Sequence, residues 1–380
     1  MRKTLISSLT VFLAVVLSCG LALAITGQCS NCHTMHYSQN GTLPSGATAG
    51  GPWPVLLLGG CIGCHSNSAT DTIKAGTIPV IWNTGGMTQD PGTSNTWAAA
   101  NMNLAGGNFY YVATGPSNPK GHNVEGIVIQ DTNFATNEPP GYSSSNDPST
   151  VKWSSAYQIT CAGSNGCHGD RNVNRSGYSD SFSASFAALG GAHHGATTPI
   201  DGSTVSKSFR FLGSAALSTY SVLGLEDSNW QQSANTTDHN EYQGNTDQTN
   251  THTISYFCGQ CHWNFHASGS GGIGTGSPWL RHPTDTDVIS KGGEYADYND
   301  EVGSLAYSLE APVGYVGAIP GTPRATVAAG NSPVICLSCH RAHASPYDDI
   351  LRWDYSTIQA GGAGATGTGC FRCHTTKDNP

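Results

Sequence analysis

The chain has 380 residues, of which 11% are charged against about 25% in an ordinary globular domain, and a formal net charge of −9. Glycine, at 48 residues, is nearly twice its usual share of about 7%, and long periodic apolar runs are scarce. That composition excludes a large core built from side chains alone, and the lack of any basic stripe excludes nucleic acid as a partner.

In chain order, Arg2 and Lys3 precede the apolar stretch Val11-Phe12-Leu13-Ala14-Val15-Val16-Leu17, which leads to Ala22-Leu23-Ala24. This predicts a secretory signal peptide over 1–24, followed by a single unit over 25–380. A rival reading makes Val16-Leu17-Ser18-Cys19 a lipoprotein site, but the apolar run continues past Cys19 and the later site is better formed. Cleavage after Ala24 also removes Cys19 and leaves an even set of the 13 cysteines. No other segment is long and apolar enough to span a bilayer.

Beyond residue 25 comes Cys29-Ser30-Asn31-Cys32-His33 with His36, then the same pattern at Cys61-Ile62-Gly63-Cys64-His65. A short helix is predicted over 96–104, ended by Gly106-Gly107, and a brief strand over 126–130, with His122 between them. Cys161-Ala162-Gly163-Ser164-Asn165-Gly166-Cys167-His168 is a longer variant, with five residues between its cysteines. A helix over 181–189 places Phe182, Phe186 and Leu189 at i, i+4 and i+7; Gly190-Gly191 stops it and delivers His193 and His194 at a turn. A second brief strand is predicted over 206–212. His239 and His252 precede Cys258-Gly259-Gln260-Cys261-His262 and its neighbour His266, and His282 sits in Leu280-Arg281-His282-Pro283. Cys336-Leu337-Ser338-Cys339-His340 with His343, and Cys370-Phe371-Arg372-Cys373-His374, close the chain.

C-x-x-C-H is the attachment signature of c-type haem. Two thiols on one short turn bond covalently to the two vinyl groups of a haem edge, and the adjacent imidazole reaches the iron from one face. Zinc ribbons need paired C-x-x-C halves but do not demand His directly after the second Cys. The expected fold is mostly irregular, with short helices and few short strands, and large flat haems supply the apolar interior. In the third motif, two glycines let the spacer bulge so that both sulfurs reach one haem edge. The alternatives there are a disulfide or attachment through Cys167 alone, so six haem c groups are expected, or five if the segment from Cys161 to His168 is empty.

The proximal ligands are then His33, His65, His168, His262, His340 and His374. Nine histidines remain for six irons, and with only four Met the natural sixth ligand is a second imidazole. His36, His122, His193, His194, His239, His266, His282 and His343 are the distal candidates, with one of His193 and His194 sufficing and His252 the weakest. His36, His343 and His266 follow His33, His340 and His262 by three, three and four residues. On a helix each pair lies on one face and must serve two different irons, which packs neighbouring haems closely.

These segments resemble the OmcS-type outer-surface hexahaem cytochromes: Cys29 to His36 with Thr34-Met35, Lys120-Gly121-His122-Asn123, Cys258 to His266, Leu280 to Pro283, and Cys336 to Ser345. The resemblance implies a mostly coil subunit around a continuous bis-histidine haem chain, secreted to the cell exterior. It also implies head-to-tail polymerisation into conductive filaments, with His36 reaching an iron of the adjoining subunit. Other cytochromes would donate electrons and extracellular acceptors would receive them. The five-residue spacer of the third motif departs from the family pattern. Two other readings compete: a soluble periplasmic electron shuttle, and a multihaem reductase. A reductase requires an open iron position, and none is visible among so many histidines.

Overall fold

The computed structural model describes residues 33, 60–86, 104–114, 118–132, 137–190, 199–213, 217–266, 282–287, 289–295, 298, 305–359 and 368–375. Regular structure among them comes in short pieces. The helices are α1 (Cys61–His65), α2 (Tyr110–Ala113), α3 (Ser181–Leu189), α4 (Leu217–Tyr220), α5 (Ile254–His266) and α6 (Cys336–Cys339). Strands are two or three residues long and pair only two by two, for example Gly224–Leu225 antiparallel to Glu241–Tyr242. The mostly irregular fold expected from composition is therefore what forms. Among the described residues, no helix is long and apolar enough to cross a membrane.

Helix α3 forms over the predicted residues. The Asp180 carboxylate accepts the Ser183 N–H at 2.6 Å, and Gly190 ends the helix in the left-handed region at φ 57°. Both predicted strands are corrected. At 126–130 the chain turns instead: Gly126 takes φ 87°, and the Ile127 and Val128 N–H groups both donate to Val124 O at 3.1 Å. At 206–212 two 3-10 turns form, Val205–Lys207 and Phe209–Phe211. Arg210 and Phe211 adopt φ of 49° and 59°. Glu226 accepts the Arg210 N–H at 2.6 Å, and the Arg210 guanidinium donates to Asp227 O and Asn240 Oδ1, which holds this turn against the strand propensity. The helix expected over 96–104 lies outside the described residues apart from Leu104, as does the segment 1–24.

Side-chain cores are small, and three of them border an attachment cysteine. Phe209, Val222, Tyr242, Ile254, Phe257, Ile335 and Leu337 pack together with Cys167 against them. Phe109, Val112, Val124 and Ala344 border Cys161, and a cluster around Tyr298 and Tyr307 borders Cys373. The tail of the fifth motif threads between two distant segments: Asn108 N–H donates to Ala344 O, and Ser345 N–H to Lys120 O. Glycine permits this approach. A Cβ on Gly107, which has φ 83°, would stand 1.9 Å from Ala344 O, and one on Gly121 would stand 2.7 Å from Ala344 Cβ.

Candidate functional site

A three-residue step on a helical turn puts two thiols on one face. Helix α1 carries Cys61 and Cys64 in this way, α5 carries Cys258 and Cys261, and α6 carries Cys336 and Cys339. In the sixth motif Cys370 lies in the 3-10 turn Gly369–Arg372, with Cys373 as its C-cap. Glu310 holds that turn, accepting Gly369 N–H at 2.7 Å and Arg372 Nε at 2.9 Å. The third motif reaches the same end by another route. Thr160–Ala162 and Gly166–His168 pair in parallel, and the spacer folds back between them. Gly163 takes φ 88°, and a Cβ on Gly166 would stand 2.5 Å from the Ala162 backbone, so both glycines are needed. Cys161 and Cys167 are free thiols, as are the other described cysteines, so the disulfide alternative does not occur.

Four of the imidazoles that follow a motif are aimed by a remote carbonyl. His65 Nδ1 donates to Pro79 O at 2.8 Å, His168 to Arg210 O at 3.0 Å, His262 to Pro140 O at 2.8 Å and His340 to Asp349 O at 2.7 Å. A proton fixed on Nδ1 leaves the Nε2 lone pair for a metal. His168 and His340 share a finer device. The residue after each histidine donates its N–H to the next carbonyl: Gly169 to Phe211 O, and Arg341 to Ile350 O, each at 2.8 Å. Both carbonyl pairs come from consecutive left-handed residues, Arg210-Phe211 and Asp349-Ile350. Non-glycine residues held there cost about 1–3 kcal/mol each and concentrate where geometry serves function.

Three of the motif imidazoles stand opposite a second imidazole. His262 faces His122 with ring centroids 6.2 Å apart, His168 faces His343 at 6.3 Å, and His374 faces His282 at 6.2 Å. A metal–imidazole bond is about 2.0 Å and the nitrogen lies about 1.1 Å from its ring centroid, so two rings on one metal stand roughly 6.3 Å apart. The spacing fits one iron between each pair. His122 Nδ1 donates to Ala342 O at 2.8 Å and His282 Nδ1 to Pro283 O at 2.9 Å, again leaving Nε2. Phe109 stacks on His343 at 4.9 Å. Burial keeps the rings neutral: it pushes His262 down to about 4, helped by the nearby His122, and His343 down to about 3, helped by His168.

Neighbouring motifs touch in sequence order. The Cys61 and Cys161 thiols are hydrogen-bonded to each other, as are Cys258 and Cys336. Cys167 lies near enough to Cys261 to feel its charge, and Cys339 near enough to Cys373 and Cys370. Motifs two to six thus neighbour one another in sequence order, an order that sequence reasoning could not give.

Other predicted residues are placed differently. His343 does not share a helix with His340, because α6 ends at Cys339 and His340 is extended (φ −109°, ψ 155°). It reaches a different motif all the same. His266 closes α5, but its Nε2 meets Asp285 Oδ2 at 2.9 Å, inside a buried pair. His239 is fully buried, stacked on Tyr307 at 3.9 Å, with Nδ1 2.8 Å from Asn240 O and Nε2 3.3 Å from Arg324 O. Both ring nitrogens of His239 thus lie against carbonyls, whereas in His266 Asp285 takes Nε2 and leaves Nδ1 without a protein partner. His252, ranked weakest from sequence, has the ligand-like form: Nδ1 donates to Ser221 O at 2.8 Å. Only that carbonyl marks it, so the sequence carried no signal. His33 is exposed, while Cys29, Cys32, His36, His193 and His194 lie outside the described residues.

A family model described as the doubled CXXCH motif matches residues 325–379, spanning the last two attachment turns. Over 94% of this chain and 88% of its own length, the C-type cytochrome OmcS of Geobacter sulfurreducens is 26% identical. The chain is a multihaem c-type cytochrome. Its cofactor is haem c. Two solved structures from the same organism are similar at 20% identity. The outer membrane cytochrome S filament has a TM-score of 0.46, over 89% of this chain and 85% of that one. The OmcS nanowire has a TM-score of 0.48, over 92% of this chain and 98% of that one. In this cytochrome the free thiol pairs would form the thioethers, and the aimed imidazoles would hold the irons.

Proposed function

We propose that the cytochrome is exported after loss of residues 1–24 and carries electrons through six bis-histidine haems in line. It does so as the subunit of a head-to-tail filament serving extracellular acceptors. The observation that carries this reading is the set of facing imidazoles, His122 with His262, His168 with His343 and His282 with His374, each at the spacing of one iron. Bound haem c supplies reversible one-electron chemistry at iron. The chain would fix each porphyrin edge by two thiols, sets the proximal imidazoles His65, His168, His262 and His340 by backbone carbonyls, and would supply a second imidazole so that no substrate binds. The nearness of thiols in successive motifs would bring neighbouring haems close together.

His33, His65 and His340 need further partners. With His239 and His266 engaged elsewhere, the remaining imidazoles are His252, one of His193 and His194, and His36. The OmcS resemblance supports His36 as the ligand to an iron of the adjoining subunit. That is a heterologous contact, which grows open filaments when its rotation does not close. Electron microscopy of the secreted protein tests this: wild type forms filaments, and His36→Ala retains six haems but stays largely monomeric. Normal filaments from His36→Ala would remove the ligand role. Monomeric wild type with all six irons ligated from within its own chain would leave the soluble shuttle.

Acid resistance follows from the buried ligands. A histidine whose folded pKa is lowered stays neutral as pH falls through 6.5, so protons compete poorly with iron until its folded value is approached. The low-spin visible spectrum should persist below pH 6.5 and begin to be lost near pH 4, in line with His262. High-spin conversion near pH 6 would contradict the buried placement of these rings.

A further inference from the structure

Between the third and fourth attachment turns lies a charge pair that ligation does not use. Arg171, three residues after His168, is 1% exposed and forms a double bond-pair with Asp147, which is 0% exposed. Arg171 NH1 donates to Asp147 Oδ1 at 3.2 Å and NH2 to Oδ2 at 3.1 Å. NH1 also donates to Gln260 Oε1 at 2.8 Å, and Gln260 sits between Cys258 and Cys261 in the fourth motif. Asp147 accepts further bonds from Tyr142 Oη at 3.2 Å and Ser149 N–H at 2.9 Å. Arg171 Nε and Gln260 Nε2 are buried donors without a protein acceptor, as expected beside a bound group that brings its own acceptors.

A buried ion pair is a poor source of stability, since desolvation offsets its attraction. Its position suggests another use. Arg171 follows His168 by three residues and bonds Gln260 inside the fourth motif, whereas the Asp147 carboxylate bonds Tyr142, Ser149 and Arg171, all outside the two motifs, so the guanidinium is the member of the pair held against both attachment turns. The field at both attachment points is therefore net positive, and a fixed positive charge in a dry site stabilises an added electron.

We infer that Arg171, locked by Asp147 and Gln260 between Cys167 and Cys261, raises the reduction potentials of the third and fourth haems together and so keeps the step between them level. This rests on the proposed function, including a haem on the third motif. The test is spectroelectrochemical titration of holoprotein carrying Asp147→Asn or Gln260→Glu, with haem counted by pyridine haemochrome. Asp147→Asn keeps the shape and removes the opposing charge, so two of six potentials should rise. Gln260→Glu places a carboxylate against Arg171, so the same two should fall while four stay. Unchanged potentials, shifts of the same sign in both variants, or equal shifts of all six would overturn the inference. So would loss of a haem from both variants, which would assign the pair to haem attachment. Should one variant alone lose haem, the sign of the other decides. Five haems in wild type would instead overturn the six-haem reading, a result visible before any potential is measured.

Discussion

Replacing His343 by Ala should open one iron per chain to carbon monoxide while leaving all six haems attached. Wild type should bind almost none, because the proposed second imidazole would close every iron. His343 faces His168 at 6.3 Å and comes from a segment knitted to 104–124, so its loss leaves a ring-sized gap that no neighbouring histidine fills. Loss of one imidazole donor should also raise the potential of that haem, since axial ligand identity sets it. Added free imidazole should occupy the gap and restore the low-spin spectrum. His266→Ala is the decisive companion. Its Nε2 is held by Asp285, so that variant should bind no carbon monoxide and should show only the stability loss of breaking a buried pair, about 3–5 kcal/mol. Carbon monoxide binding by His266→Ala, with none by His343→Ala, would reverse the two assignments.

Replacing Cys161 and Cys167 by Ser should have the largest effect on conduction. The third motif meets the second through Cys161, and Cys167 lies near Cys261 of the fourth, so it is the link between them. Intact mass should fall by one haem, and conductance along an assembled chain by orders of magnitude. Unchanged mass would show that the five-residue spacer holds no haem in wild type.

The attachment motifs were legible because their chemistry is local: two thiols and an imidazole within one turn need no tertiary information. The long spacer was legible for the same reason, as Gly163 and Gly166 are where the bulge requires them. Helix α3 was legible through its cap and its glycine stop. Pairing of ligands was not. His122 meets His262, and His168 meets His343, only because Gly107 and Gly121 let the tail of the fifth motif pass between two loops. His340 and His343 do not share the expected helix, which ends before His340, and His343 faces His168 instead. For His266 no local pattern could show that Asp285, distant in sequence, bonds its Nε2. The bond from His252 Nδ1 to the carbonyl of Ser221 is likewise one that no local pattern encodes. The strands expected over 126–130 and 206–212 gave way to turns at Gly126 and at Arg210-Phe211, and the second of these supplies the carbonyl that aims His168.

The central claim is that facing imidazoles bracket single irons in one line of haems. A cryo-electron microscopy map of the secreted holoprotein, at a resolution that shows axial ligands, tests it most directly. The account predicts one iron between His122 and His262, one between His168 and His343 and one between His282 and His374, with the haems of motifs two to six adjacent in sequence order. A water or open position at any of these three irons, or a different histidine in one of the six places, would contradict it.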